Sequence, residues 1–509
     1  MAKLSFDPNL SPLPEARELW NLGRRDESLA LFRTAHKEQK NNISAILDAA
    51  RALGSSYQIK DAERTLNKLR PHAKKIPVLN LMMGQVYREI RRPDKALEYF
   101  NKAIQVIPDS VDALVEAAQL LERSGRPEVA LKRIHKALSI QPDSHLLQIF
   151  HARLLAQTSQ QEEAIKLYES LLSLPNLTQG LRCRALHELA RLLEPNNPAE
   201  AVQLIQEAHS RRIDSSSPLL GRGETSTQQA LKLGNEVPKG FYKELRDQIP
   251  SSKQKKIIFQ IGFARSGTTL LEKLLTQSGD IKDAEELDLF GLYIHPIATG
   301  TLKSYLRNDE ESELAVQFLR QRYCSGMEEY LNASIDQHWI LDKNPSNTVI
   351  CSSLARIFPE AKFLVMLRDP RDTLLSTFFQ YLPLNPESVS FIQWETLIQR
   401  YCDTMQAWIQ LRDNLPADSW LECRYESLTA NPAEELSRVY QWLGMPGTPD
   451  SQFSPSIQKF VSSPSYSEVA QPVHGKRIGR WRDPAYAKLF DAETQERLAP
   501  IMQQLQYEW

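Results

Sequence analysis

A period of 34 residues runs through the N-terminal part of the chain without slippage over five units. One column reads Ser28, Ala62, Ala96, Ala130 and Ala164, and four residues later another reads Phe32, Leu66, Phe100, Ile134 and Tyr168. Twelve residues before the first column stand Ala16, Ala50, Gly84, Ala118 and Ala152. Small residues in two columns let paired helices approach closely, and the large apolar column fills the space between repeats. Pro108 and Pro142 end two of the units, where a helix must stop before the next begins. A sixth unit follows about three residues out of register, with Ala201, Ile205 and Ala208. A fixed period of this length restricts the segment to a stack of helix pairs, each burying its apolar face against its neighbours.

These columns resemble the tetratricopeptide repeat over about Pro14 to Ile213. The resemblance implies an all-α solenoid with a concave groove for a protein or peptide. Substrate, partner and another copy of the chain all remain open as its occupant.

The rest of the 509-residue chain reads differently. From 214 to 254 the period dissolves into Ser-, Gly- and Thr-rich sequence with a short helical piece near Tyr242 to Gln248, which predicts a linker or docking segment. Residues 255–509 alternate short apolar runs with longer amphipathic stretches, the pattern of an α/β domain with a parallel sheet. The expected organisation is therefore a helical array over 1–213, a connector, and an α/β domain.

Whole-chain properties narrow the function classes. Lys and Arg total 62 against 63 Asp and Glu, so no global basic field points to nucleic acid. The five cysteines are scattered and without CxxC spacing, which predicts reduced thiols and no metal site. No apolar stretch reaches the roughly 18 residues of a membrane span, and no apolar leader opens the chain. A cytoplasmic protein is expected.

Four predicted strand ends carry polar groups. The run 257–261 leads into Gly262-Phe-Ala-Arg-Ser-Gly-Thr-Thr269 and then an apolar helix, an arrangement whose backbone N–H groups and helix dipole bind phosphate. Thr268 stands where a nucleotide-hydrolysing loop has its lysine, so nucleoside-triphosphate hydrolysis and a kinase-like reaction are disfavoured. A second run, 339–341, ends in Asp342-Lys343-Asn344-Pro345, and a third, 361–367, ends in Arg368 with Ser376 eight residues on. Asp369 and Pro370 are explained as the cap and first turn of the following helix. A fourth run, 420–425, delivers Tyr425. Ligands of open α/β sheets bind outside the carboxyl ends of the strands, so these groups should converge on a cationic cleft with two separate anion seats.

The paired motifs resemble the sulfotransferases that use 3′-phosphoadenosine-5′-phosphosulfate (PAPS), over roughly Lys256 to Trp509. Nearest in pattern are the tyrosylprotein sulfotransferases and bacterial proteins that join tetratricopeptide repeats to such a domain. The resemblance implies a P-loop-like three-layer domain with PAPS as co-substrate and no metal. Arg265, Ser266, Gly267, Thr268 and Thr269 would take the 5′-phosphosulfate, and Arg368 with Ser376 the 3′-phosphate. Glu286 matches the general base, with Glu285 one step away as the alternative, and Lys343 matches the lysine serving the transferring sulfonate. Tyr425 and Ser465 match nucleotide contacts, and Arg480 a C-terminal cation that closes over the phosphates. Two positions depart from the pattern: Gln380 and Asp288 stand where the tyrosylprotein enzymes have arginines, the second one thought to greet acidic acceptors.

Sulfuryl transfer needs these residue types. The acceptor hydroxyl must lose a proton, which a carboxylate such as Glu286 can take. Charge builds on the departing bisphosphate, which Arg265, Lys343 and the N–H groups of Thr268 and Thr269 can neutralise. Protein tyrosine, a glycan hydroxyl and a small phenol all fit as acceptors. A repeat scaffold whose second domain binds nucleotide without catalysis is the alternative, and intact Arg265, Glu286, Lys343, Arg368 and Ser376 favour the enzyme. His295, His338 and His474 lack partners at recognisable spacing and are expected to serve packing or the surface. Trp394, Tyr401 and Trp408 fall near helical spacing and are expected in the core.

Overall fold

The computed structural model describes residues 13–21, 24–39, 42–213, 217–291, 295, 310–446 and 474–509. They form two compact units, one running to Ser159 and taking in Gly326–Asn332, the other holding Gln160–Ser325 and the residues from Ala333 onward.

In the first unit, helices Ile43–Ser55 and Ile59–Asn67, Val78–Glu89 and Pro93–Val106, and Val111–Arg123 and Pro127–Ile140 follow one another at the predicted spacing. Pro93 and Pro127 occupy first-turn positions, where the missing N–H has no intrahelical partner to lose. The small column is inaccessible at Ala62, Ala96 and Ala130, and the large column at Leu66, Phe100 and Ile134. Gly84 shows why the earlier column must stay small: a Cβ there would lie 2.5 Å from the Phe100 ring. The second unit contains helices Gln179–Leu193 and Pro198–Ser210, the drifted sixth pair, whose Ala201, Ile205 and Ala208 are fully buried.

The same unit carries five strands: β1 (Ile257–Gly262), β2 (Ile281–Asp283), β3 (Trp339–Lys343), β4 (Lys362–Leu367) and β5 (Trp420–Arg424). They form one parallel sheet in the order β2-β3-β1-β4-β5. Four of these strands are legible in the sequence, whereas β2, at three residues, is too short to show a period. Every residue of β1 is buried, as a parallel strand covered on both faces must be. Ile258 packs with Leu271, Leu274, Leu275 and Val439 on one face. Phe259, one residue on and so on the other face, meets the rings of Phe290, Tyr323, Phe358 and Phe363. Helices thus sandwich the sheet in three layers. The chain leaves β1 for strands on one side and returns to β4 on the other, which opens a crevice at the carboxyl ends of β1 and β4.

The segment predicted as a connector differs from expectation, for it contains the 20-residue helix Ser217–Glu236. Gly223, Thr227, Ala230 and Gly234 are buried at helical spacing. This narrow face packs against helix Trp394–Arg412, and Gln410 donates a 2.7 Å hydrogen bond to Asn235. Intrinsic propensity is poor here, and tertiary packing supplies what the residues lack. Trp394, Tyr401 and Trp408 of the partner helix are buried.

Gly84→Ala should destabilise the first unit by about 1–3 kcal/mol, because the buried Phe100 ring must move off its rotamer. Denaturant unfolding followed by helical circular dichroism measures this, and an unchanged midpoint would exclude the close approach.

Candidate active site

The turn after β1 is forced by backbone geometry. Gly262 (φ 138°) and Gly267 (φ 106°) are both left-handed, and a Cβ at Gly267 would sit 2.6 Å from the Tyr425 ring. Between them Arg265, which is not glycine, is held at φ 69°, a conformation costing about 1–3 kcal/mol that the surrounding contacts must sustain. The turn ends where helix Thr268–Thr276 begins, so the first N–H groups of that helix lie at the crevice. From its strained position Arg265 reaches helix Pro370–Phe378, and its Nε donates to Ser376 Oγ at 3.2 Å. Arg368, at the tip of β4, donates Nη1–H to the Arg265 carbonyl at 3.2 Å and Nη2–H to the Arg477 carbonyl at 2.7 Å. Its guanidinium lies 4.6 Å from the centre of the Tyr425 ring. Burial pushes Arg368 below the usual arginine range, with Asp372 and Tyr425 opposing and the neighbouring Arg480 and Arg265 adding to the fall. Arg265 and Ser376, expected to serve different ends of a ligand, are thus in direct contact.

Lys343, at the end of β3, is 1% exposed. Its Nζ lies 2.8 Å from Glu286 Oε1 and 3.2 Å from Glu272 Oε2. Burial pulls the ammonium down, and the Glu272 and Glu286 carboxylates outweigh it, so Lys343 stands above the usual lysine range. Glu272 is itself pushed well above the carboxylate range by burial, with Lys343 opposing. Of the two candidate bases, Glu286 pairs with Lys343 and faces the cavity, whereas Glu285 sits at φ 52° with its N–H on Asp283. Lys343 does not line the cavity and reaches it through Glu286.

The C-terminal loop is tied down at two points. Asp372 accepts the N–H of Gly479 at 2.6 Å and of Trp481 at 3.2 Å, so the backbone on both sides of Arg480 is held. Asp369 caps its helix through the Arg371 N–H at 2.9 Å, as expected. Arg265, Gly267, Thr268, Thr269, Glu286, Arg368, Tyr425 and Arg480 line one cavity of about 1030 Å³. Ser266 and Ser376 are buried just behind it, and Ser465 lies outside the described residues. Seven Arg and Lys and four Asp and Glu line the cavity, so its field attracts anions. Ser266 Oγ and Arg368 Nε are buried without a hydrogen-bond partner among the described residues, and a ligand with phosphate oxygens fits such a donor set. Gln380 also faces this space, while Asp288 accepts a 3.4 Å hydrogen bond from Asn344. His474 lines the cavity too, which its isolation in sequence did not signal. Sequence reasoning missed Glu272 and Asp372. Glu272 shares its helical face with Thr268, Thr269, Leu275 and Thr276 and so reads as an ordinary exposed acid, and Asp372 was hidden among the charges of Arg-Asp-Pro-Arg-Asp.

A parallel sheet with a phosphate-type loop and a cationic crevice defines a class, and the comparisons agree with it. Residues 258–450 match the sulfotransferase family model, and residues 90–154 match a tetratricopeptide-repeat model. The chain thus carries a tetratricopeptide-repeat region and a sulfotransferase domain. Among similar proteins, the protein-tyrosine sulfotransferase of Drosophila melanogaster is 22% identical over 45% of this chain and 48% of its own length. Protein-tyrosine sulfotransferase 1 of Danio rerio is 24% identical over 54% of this chain and 76% of its own. The chain therefore spans about half the length of the Drosophila relative. A solved sulfotransferase domain from the curacin biosynthetic pathway aligns with 50% of this chain and 98% of its own, at 18% identity and a TM-score of 0.34.

Lys343→Met should cost about 3–5 kcal/mol by leaving Glu272 buried without its cation, and adding Glu272→Gln should restore most of it. Chemical denaturation of the single and double variants checks this, and additive losses would contradict the pairing. Asp342 supplies a second test. Burial pushes its carboxyl up to about 7 from 3.8, although Tyr323 donates a 2.7 Å hydrogen bond to it. The unfolded chain ionises first, so the contribution is full below about pH 4 and is lost as pH rises to about 7. Asp342→Asn should flatten that decline in an unfolding series across the same window.

Proposed function

We propose that the protein is a PAPS-dependent sulfotransferase that transfers the sulfuryl group to a hydroxyl acceptor. The observation that carries the reading is that Arg265 and Arg368 line one cavity with Glu286, with Ser376 bonded to Arg265 just behind its wall. The co-substrate, when bound, supplies the sulfuryl group and leaves as the bisphosphate. Arg265, Ser266 and the N–H groups of Thr268 and Thr269 hold its 5′ end. Arg368 and Ser376 hold the 3′-phosphate, Tyr425 packs against the nucleotide, and Arg480 closes the phosphate side. Glu286 takes the acceptor proton, and Lys343 behind it, the match to the family's sulfonate-serving lysine, acts through the 2.8 Å contact that fixes this carboxylate. The cations are in place before reaction, so they cost no reorganisation as charge develops.

Protein tyrosine is one acceptor the relatives favour, with glycan and small-molecule hydroxyls as the other classes. By function the proposed regions are repeats over 1–213, a connector over 214–254 and the transferase over 255–509, although the compact units divide at Ser159, with the repeats binding acceptor or partner protein, in the cytoplasm. A radiolabelled sulfate-transfer assay against these acceptor classes tests the reading, alongside titration of adenosine 3′,5′-bisphosphate. Glu286→Gln and Arg265→Ala should each fold normally and lose about 10²–10³ in turnover. Near-normal turnover in either would remove the role assigned to it, and bisphosphate binding without transfer to any acceptor would leave a scaffold.

A further inference from the structure

The last helix pair of the repeat region does more than pack. Helix Gln179–Leu193 ends at Glu194, and Arg191, Glu194, Pro195 and Pro198 line the same cavity as Arg265 and Arg368. Glu194 Oε1 lies 3.1 Å from Arg480 Nε and accepts the Tyr486 hydroxyl at 2.8 Å. The Arg480 guanidinium also lies over the rings of Phe379, at 5.3 Å, and Tyr486, at 5.9 Å. Asp372 already pins the backbone at Gly479 and Trp481, so the side chain is the remaining freedom. Two aromatic faces and one carboxylate remove it. The carboxylate pairs with Nε by charge, without hydrogen-bond geometry, and like Nε the outer donor Nη2 is buried without a hydrogen-bond partner among the described residues. A purely structural ion pair has no reason to leave that donor unused at the wall of an anion cavity.

We propose that Glu194 is a positioning residue: it aims the outer edge of the Arg480 guanidinium at the phosphate oxygens of the bound nucleotide, making the final repeat part of the active site. The inference rests on the nucleotide reading above. A carboxylate near the ligand also repels it, so two opposed effects act on affinity. Rotamer fixation outweighs repulsion here because a long arginine loses much of its freedom on binding and Glu194 removes that freedom beforehand.

The experiment is titration of adenosine 3′,5′-bisphosphate into the full chain and its variants, with a melting temperature for each. Glu194→Ala should weaken binding about tenfold, as loss of a charge-assisted contact does. Glu194→Gln keeps an acceptor for the Tyr486 hydroxyl but drops the charge that holds Arg480, and should lose about as much affinity as the alanine variant. Glu194→Asp, one carbon too short to reach, should bind weakly and serves if the alanine variant does not fold. In an Arg480→Ala background, Glu194→Ala should add nothing further. Unchanged or tighter binding in Glu194→Ala, near-normal binding in Glu194→Gln, or a full additional loss in the Arg480→Ala background would each overturn the proposal. The parent reading is tested separately. Wild type that fails to bind the bisphosphate removes both, whereas binding that weakens in Arg480→Ala alone removes only the role of Glu194.

Discussion

The guanidinium of Arg368 holds the site together. Its two donated hydrogen bonds end on the carbonyls of Arg265 and Arg477, 103 and 109 residues away in sequence. Through one buried side chain, the loop after β1, the tip of β4 and the C-terminal segment are fixed against each other. An arginine suits this because its planar fork satisfies two carbonyls and keeps further donors for a ligand. Burying that charge is costly, and Arg265 and Arg480 nearby make it costlier. A phosphate-bearing ligand would relieve the repulsion, so the same arrangement that strains the protein alone suits it to an anion.

Buried charge recurs on the other side of the crevice, where Lys343 lies between Glu272 and Glu286. Burial disfavours the ionised form of Glu272 while Lys343 stays protonated, and Glu286 is the member of the three that faces the cavity. The inner pair fixes the outer carboxylate in place. Charge is thereby partitioned, with cations around Arg368 and the Glu286 carboxylate facing the cavity, a division the proposed transfer would use.

Much of the fold was legible. Ala62, Ala96 and Ala130 declared the helix pairs, and runs such as Ile257–Ile261 declared strands, since both patterns are periodic and set by local burial. Helix Ser217–Glu236 was not legible, because Gly223 and Gly234 lower its propensity and earn their place only against Pro386 and Gln410. At the site, Arg265, Arg368 and Tyr425 stood at strand ends and could be expected to converge. Glu272 and Asp372 could not be told from surface charge, since the partners that bury them are distant in the chain.

The amino-acid sequence alone determined the repeat, the parallel sheet and the polar character of its strand ends, because each follows from the spacing of apolar and small residues along a short stretch. Tertiary structure decided the rest: that Arg265 meets Ser376, that Lys343 is held between two acids, and that Glu194 of the last repeat meets Arg480. Those contacts join residues far apart in the chain, and no local pattern encodes a distance that only the folded backbone sets.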